Sequence, residues 1–331
     1  MRTAHWPFFL RKNFMKPYKT FNQQMKILRE RGMEVPTDGG PKRFLEQENY
    51  YNVVNGYKDL FLRKDNNGKA IEPERYLEGT HFDELKNLFL FDRELRMIFL
   101  KYLLIFENSL KTTIAYEFSK EHPEKNSYLD LKNFTDQNPK KVLQQISILT
   151  NTIHSKVSQE GPVKHYIENH GEVPLWVLVN YLTIGNISHF YNIFTPSIQN
   201  KIVKFYATKY NRQYKKQKKL KISIDDFRAG LKISNLIRNI CAHDERLYNH
   251  CFKNIRITNI ANYHDINDID NTRCFVEILF LKVVLEKNSY NRFHSELSKL
   301  FSKYHDKFNT VNFEKILSSM SCIEREFSKL K

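Results

Sequence analysis

Apolar residues recur every three or four positions along one long stretch of this chain, and no other feature constrains the fold as strongly. The stripe consists of Leu85, Leu88, Leu95, Phe99, Tyr102, Phe106, Leu110 and Ile114. This period is typical of an amphipathic helix whose apolar face is buried. Thr80-His81-Phe82-Asp83 resembles a capping box, with Asp in place of Glu, and predicts the start of the helix; Pro123 predicts its end.

Shorter helical patterns cover most of the remaining sequence, and no alternating strand pattern is present. The predicted helices lie near 20–32, 44–56, 139–156, 174–184, 187–193, 225–248, 272–287, 291–305 and 312–330. The 331 residues include only ten glycines and ten prolines. Because turns are rich in these residues, the low number favours long helices over β architectures with many turns. The sequence therefore predicts an all-α fold: an N-terminal helical extension (1–79), a helical bundle (80–260) and C-terminal helices packed on the bundle (261–331).

The composition narrows the class of protein. At 41% hydrophobic residues the chain can bury a sizeable core, which argues against wholesale disorder. Residues 1–15 form a basic, aromatic stretch whose apolar part is too short for a signal peptide. The most apolar segment, 275–285, is interrupted by Glu277 and Lys282, so no membrane span is expected. The cytoplasm is the expected location.

The cysteines and histidines do not suggest a metal or a disulfide framework. The four cysteines form no Cys-x-x-Cys pair. Cys241, His243, His250 and Cys251 lie close together in sequence, but their spacing matches no usual zinc knuckle or finger. No cofactor and no metal are expected.

The formal net charge of +16 predicts attraction to a polyanion, either nucleic acid or an anionic membrane surface. An alternative is a soluble protein whose sequence simply over-uses lysine.

The basic residues are densest between 201 and 221, where nine Lys or Arg occur without an acid and a tyrosine recurs every four positions. If this segment is helical, the tyrosines lie on one face, where they would stack on bases, and the flanking cations would neutralise phosphates. The alternative places the tyrosines in the core and the lysines on a solvated face. The predicted RNA-binding residues are Lys201, Lys204, Tyr206, Lys209, Tyr210, Arg212, Tyr214, Lys215, Lys216, Lys218 and Lys219.

The segment Arg238-Asn239-Ile240-Cys241-Ala242-His243 combines a phosphate-binding side chain with one that exchanges protons near neutral pH. On an ideal helix Arg238 and His243 diverge by about 140°, so they converge only if the helix ends or distorts near His243. Asn239, His243, Arg246 and His250 would instead share one face of a helix continuing to about Tyr248. The alternative is a solvated outer face with a helix-ending histidine.

This segment is similar to the Arg-x4-6-His signature of the HEPN superfamily of helical-bundle ribonucleases, and its continuation Asp244-Glu245-Arg246-Leu247-Tyr248-Asn249 resembles the Abi-like (abortive infection) branch. The resemblance covers roughly residues 18–255. Its other blocks, in order, are Lys19-Thr20-Phe21-Asn22-Gln23-Gln24, Asn49-Tyr50-Tyr51, Phe91-Asp92-Arg93-Glu94-Leu95-Arg96, Phe106-Glu107-Asn108-Ser109-Leu110 and Pro174-Leu175-Trp176.

The resemblance implies a HEPN-like bundle and a metal-independent endoribonuclease that acts as a toxin in phage defence. Arg238 would stabilise the phosphate, His243 would act as general base or acid, and Asn239 would orient it, with Glu107, Arg246 and Asn249 in support. The products would carry 2′,3′-cyclic phosphate and 5′-OH ends. A homodimer would supply the second proton-transfer group, and a structured non-coding RNA is a candidate restraining partner.

Several alternatives stay open at this point. The family usually has an Arg four residues after the Glu, whereas here Glu107 is followed by Lys111, which either pairs with Glu107 or holds phosphate less well. Asp92, Arg93 and Arg96 form either a structural polar network or an RNA-facing edge. The whole chain is alternatively a non-catalytic RNA-binding module, or a protein that binds membrane surfaces.

Overall fold

A computed structural model describes residues 18–253, 255–267 and 269–331 of the chain. Within these ranges the regular structure is helical, and extended segments pair only as isolated bridges before residue 82. The predicted all-α class is therefore confirmed. The chain divides into two units, one up to Lys86 and one from Asn87 to Lys331. The basic stretch at 1–15 lies outside the described residues.

The first unit contains two short α-helices, α1 (Phe21–Glu30) and α2 (Gly40–Gln47). Thr20 and Gln23 form a capping box at the start of α1, because the hydroxyl of Thr20 accepts the amide of Gln23 and the Gln23 side chain accepts the amide of Thr20. The predicted helix over 44–56 is instead split between α2 and a π-helical turn, Tyr51–Asn55.

The second unit is built around the long helix α3 (Phe82–Glu121), which starts in the first unit. The helices that follow are α4 (Pro139–Val157), α5 (Pro162–His170), α6 (Leu175–Leu178), α7 (Ile184–Asn192), α8 (Pro196–Tyr214), α9 (Ile224–Ala242), α10 (Thr258–Tyr263), α11 (Phe275–Val284), α12 (Lys287–Tyr304), α13 (Phe313–Ser319) and α14 (Glu324–Ser328). The sequence did not predict α5 or α10. The predicted helix over 312–330 is interrupted between α13 and α14, where Ser321 adopts a left-handed φ of 57°.

Helix α3 confirms the apolar stripe that the sequence predicted, because all eight of its residues are buried. Its predicted capping box is wrong. The hydroxyl of Thr80 donates to the carbonyl of Leu77 at 2.7 Å, and the ring Nδ1 of His81 accepts the backbone amide of Asp83 at 3.1 Å. The helix therefore begins at Phe82, with His81 satisfying one of its free amides.

Helix α11 is the centre of the second unit, since every residue from Phe275 to Val284 is buried. The ring of Phe280 packs edge-on against Phe106 of α3 and Phe227 of α9, with centroid distances of 5.5 and 5.8 Å. Gly230 of α9 lies directly against this ring, where a Cβ would overlap it. This aromatic cluster ties α3 and α9 to the same central helix, so polar residues of the two helices can meet.

Candidate functional site

Arg238 of α9 lies beside Glu107 of α3. The Nε of Arg238 is 3.9 Å from the Oε2 of Glu107, beyond hydrogen-bond distance, and both atoms are buried without a hydrogen-bond partner in the described chain. The other carboxylate oxygen of Glu107 binds the ammonium of Lys111, one turn along α3, at 2.8 Å. Two cations therefore flank one buried carboxylate, which leaves an excess positive charge for an anion.

The three side chains differ in their access to solvent. Glu107 and Lys111 are buried, whereas the side chain of Arg238 is 28% exposed. No hydrogen bond from the described part of the chain engages the guanidinium of Arg238, so the donors of its two terminal nitrogens stay available while the buried Nε faces Glu107. A planar guanidinium with open donors is suited to bidentate binding of a phosphate.

His243 lies at the C-terminal end of α9. Its backbone N–H donates to the carbonyl of Asn239 at 3.0 Å, and its imidazole is exposed. Helix α9 ends at Ala242, but His243 still makes the i→i−4 backbone bond, so its Cβ stays about 140° around the helix from that of Arg238. Asn239 is exposed one turn before His243.

Helix α9 ends in a Schellman-type turn. Asp244 adopts a left-handed φ of 57°, and the amide of Glu245 donates to the carbonyl of Ile240 at 3.0 Å. The prediction that α9 continues to Tyr248 is therefore wrong. Arg246 and His250 do not share a helical face with Asn239 and His243.

Asp92 and Arg96 of α3 hold the chain that follows this turn. The carboxylate of Asp92 accepts the amides of Leu247 and Tyr248 at 3.1 and 2.7 Å, and Arg96 binds Asp92 at 2.5 Å while also pairing with Asp244. Asp92 and Arg96 are both buried. Of the two alternatives from the sequence, the structural network applies to these two residues.

Arg246 and Asn249 are placed by this clamp, not by a helix. Both are half-buried, and the backbone carbonyl of Asn249 accepts the guanidinium of Arg273 at 2.6 Å. Nearby, burial lowers the pKa of His250. The loop after His243 is therefore anchored at both Asp92 and Arg273.

The tyrosine stripe of α8 faces inward. Tyr206 and Tyr210 are almost completely buried, and burial raises the pKa of Tyr206 to about 12. The ring of Tyr214, half-buried, stacks on Tyr210 at a centroid distance of 4.4 Å. The expectation that Tyr206 and Tyr210 stack on bases is therefore wrong, because their rings contact core residues.

Lys209 is also removed from the predicted RNA-binding surface. Its ammonium is buried and donates to the carbonyl of Val284 at 2.7 Å. Burial lowers the pKa of this lysine. A lysine held in this way is a core residue with a satisfied donor, not a phosphate ligand.

The remaining basic residues of the segment are at the surface. Lys204 and Arg212 are exposed on α8, and Lys201 pairs with Glu121. Four exposed lysines follow the end of the helix: Lys215, Lys216, Lys218 and Lys219. We call these four the cationic loop. It is the part of the basic segment whose exposure suits contact with phosphates.

A groove beside the site was not foreseen from the sequence. It has a volume of about 440 Å³ and runs between α3 and the segment 176–180, with Lys111 and Trp176 among its lining residues. The periodicity of the sequence could not reveal it, because the pattern does not say whether an aromatic residue near a helix start, such as Trp176, is buried or exposed.

Neither a metal-binding cluster nor a membrane-spanning helix is found in the part of the chain that the structure describes. No cluster of three or more His, Cys, Asp or Glu side chains is arranged to hold a metal there. Within the same ranges, no helix is long and apolar enough to cross a bilayer.

The second unit is thus a helical assembly in which Arg238 lies beside the buried carboxylate of Glu107, on the helix that ends at the exposed His243. The sequence model of the Abi-like protein family matches residues 43–249, more than half of the 331 residues. The chain therefore belongs to the Abi-like protein family, as the resemblance predicted, and this membership suggests a part in abortive infection. Neither the search of curated proteins nor the search of solved structures returned a significant match.

Proposed function

We propose that the protein is a metal-independent endoribonuclease of the HEPN type that acts as a toxin in abortive infection. The observation that carries the proposal is the arrangement of α9 against α3. Arg238 places a guanidinium that makes no hydrogen bond in the described chain beside the buried Glu107–Lys111 pair, and the same helix ends at an exposed His243. Family membership supports the biological role.

The chemistry uses the nucleophile that RNA itself carries. His243 takes the proton of the 2′-OH, the 2′-oxygen forms a bond to phosphorus, and the bond from phosphorus to the 5′-oxygen breaks. The leaving 5′-oxygen receives a proton from the imidazolium of His243 of a second copy of the chain, which gives a 2′,3′-cyclic phosphate and a 5′-OH. Arg238 stabilises the charge that develops on the phosphate, and Asn239 orients the imidazole.

Supporting roles follow from the contacts. Glu107 lies beside the guanidinium of Arg238, and Lys111 holds the carboxylate of Glu107 in place. Arg246 and Asn249 lie in the clamped segment after His243 and are proposed to support RNA binding there.

A single imidazole cannot both accept the first proton and donate the second in one concerted step, so the active species is proposed to be a homodimer with a composite site. Leu236 supports this, because it is 36% exposed on the same face of α9 as Asn239 and His243. Light scattering should give twice the chain mass, and Leu236→Glu should give a monomer with reduced cleavage.

The cationic loop is proposed to bind RNA outside the cleavage site, either the substrate or a structured non-coding RNA that restrains the toxin. Exposed lysines at the end of a helix bind phosphates without sequence preference. A discrete RNA species that stays with the purified protein would support a dedicated RNA partner. Protein that purifies free of nucleic acid would contradict it.

The direct test is cleavage of labelled RNA in EDTA by the wild type, Arg238→Ala and His243→Ala. The matched controls are Arg292→Ala and His154→Ala, which remove an exposed arginine and an exposed histidine elsewhere in the second unit. We expect both site variants to lose at least a hundredfold in rate, in line with the loss of a general base or of a transition-state donor, while the controls keep full activity. RNA binding without cleavage in any of these proteins would instead support a non-catalytic RNA-binding module.

A further inference from the structure

The groove beside the candidate site is lined by aromatic and cationic side chains. One wall is a face of α3 that carries Lys111, Tyr116 and Lys120, and the other is the segment from Trp176 to Asn180. We propose that this groove binds one nucleotide of the RNA strand next to the cleaved phosphate. The proposal rests on the proposed ribonuclease function and names a subsite of it.

Two aromatic rings in the groove are open to solvent. Trp176 is 58% exposed and Tyr116 is 63% exposed, although other aromatic residues of α3 such as Phe106 and Phe118 are fully buried. Exposed aromatic rings stack on nucleobases, whatever their identity, because every base has a π-face. The two rings therefore provide a platform for an unpaired base.

Two lysines of the same groove provide the charge that a nucleotide requires. The ammonium of Lys120 lies 5.9 Å from the centroid of the Tyr116 ring, so a base stacked there would have its phosphate close to a cation. Lys111 lines the groove and also binds Glu107, the residue that lies beside Arg238. One carboxylate thus separates the groove from the proposed catalytic arginine.

The lining favours a nucleotide over a protein surface. No Asp or Glu is among the described residues that line the groove, and its volume of about 440 Å³ falls within the usual range for small-ligand pockets. Apolar docking between two copies of the chain would gain nothing from two lysines beside the rings. Aromatic rings and lysines, with no carboxylate among the described lining residues, are complementary to a base with its phosphate.

Trp176 provides a direct readout, because the sequence contains only one other tryptophan, Trp6. In a His243→Ala, Trp6→Phe background, a short single-stranded RNA should quench the fluorescence of Trp176 as a base stacks on it. Inorganic polyphosphate, which has charge but no bases, should bind without quenching. Filter binding then compares Trp176→Ala, Trp176→Tyr and Tyr116→Ala in the His243→Ala protein with Tyr51→Ala, a control tyrosine that is 70% exposed in the first unit.

We expect Trp176→Ala to weaken RNA binding roughly tenfold, Tyr116→Ala to weaken it severalfold, and Trp176→Tyr and Tyr51→Ala to leave it almost unchanged. RNA that binds with full affinity to Trp176→Ala and does not quench Trp176 would overturn the subsite while leaving the ribonuclease proposal in place. A Trp176→Ala protein that binds RNA normally but changes its oligomeric state would assign the groove to a second copy of the chain. Absence of any RNA binding or cleavage would contradict the proposed function and the subsite together.

Discussion

The carboxylate of Asp92 accepts the backbone amide of Tyr248 at 2.7 Å, although 156 positions separate the two residues. This contact, together with the amide of Leu247 on the same carboxylate, fastens the segment after His243 to the long helix α3. The position of the proposed catalytic histidine therefore depends on a residue that would not itself touch RNA.

Asp92→Ala should destabilise the protein by about 3 kcal/mol, because it leaves the buried guanidinium of Arg96 without its main partner and two backbone amides unsatisfied. Urea unfolding followed by circular dichroism measures the change. The control is Asp225→Ala, which removes an exposed carboxylate at the start of α9 and should shift the free energy of unfolding by less than about 1 kcal/mol. Equal effects of the two substitutions would contradict a clamp at Asp92.

Gly230→Ala tests the packing of α9 on α11. The added Cβ would overlap the ring of Phe280, so the helices must separate or the ring must move, at a cost of about 1–3 kcal/mol. Phe280→Leu should recover part of this loss in the double variant, since it removes the overlapping ring atoms. Gly56→Ala is the matched control, because a Cβ at that position meets nothing within 4 Å. A stable Gly230→Ala protein would show that α9 and α11 do not approach so closely.

Glu277 predicts a specific dependence of stability on pH. It is fully buried on α11, the only hydrogen bond to its carboxyl group in the described structure comes from the hydroxyl of Ser234 at 2.8 Å, and burial raises its pKa well above the ordinary value. A carboxyl with a raised folded pKa contributes full stability below its unfolded pKa and loses it as the pH rises toward the folded value.

Glu277→Gln should therefore raise the free energy of unfolding relative to the wild type by an amount that grows with pH above about 4.5, at up to about 1.4 kcal/mol per pH unit. The melting temperature should rise with it. Thermal melts of both proteins over a series of buffers measure the difference. Glu168→Gln, at an exposed position of α5, should show no such trend. A pH-independent difference for Glu277→Gln would mean that Glu277 is ionised in the folded protein.

The cationic loop should account for much of the salt dependence of RNA binding. Replacing its four lysines by alanine should lower the slope of log affinity against log salt by up to about 3 for single-stranded RNA. The control replaces four exposed cations elsewhere, namely Arg292, Lys299, Lys307 and Lys315. Equal losses from both sets would indicate attraction by overall charge alone.

The long helix α3 could be predicted because its signal is local and repeated. A period of three to four residues that persists from Leu85 to Ile114 is that of a helix with one buried face, and all eight residues of the stripe are buried. The end of α9 could not be predicted in the same way. Asp244 leaves the helix with the support of Arg96, which is 148 positions away, and no local pattern encodes that contact.

The tyrosines of α8 show a second limit. Their four-residue spacing correctly indicates one face of a helix, but the spacing does not say whether that face meets RNA or the core. Contacts with other helices decide it: the ring of Tyr206 lies 6.1 Å from Phe106 and 5.3 Å from Phe227. At the site, the sequence pattern singled out Arg238 and His243, whereas the 3.9 Å approach of Glu107 to Arg238 depends on how α3 and α9 pack.

The chemistry of the cut ends tests the central claim most directly. The wild-type protein is incubated in EDTA with a 5′-labelled RNA and, in parallel, with the same sequence as DNA, and the 3′ ends of the fragments are identified by mass spectrometry. If Arg238 and His243 direct the 2′-OH at the phosphate, the RNA gives 2′,3′-cyclic phosphate ends, the DNA stays intact, and Arg238→Ala and His243→Ala give no fragments. Cleavage of the DNA, fragments with 3′-OH ends, or undiminished cleavage by the two variants would contradict it.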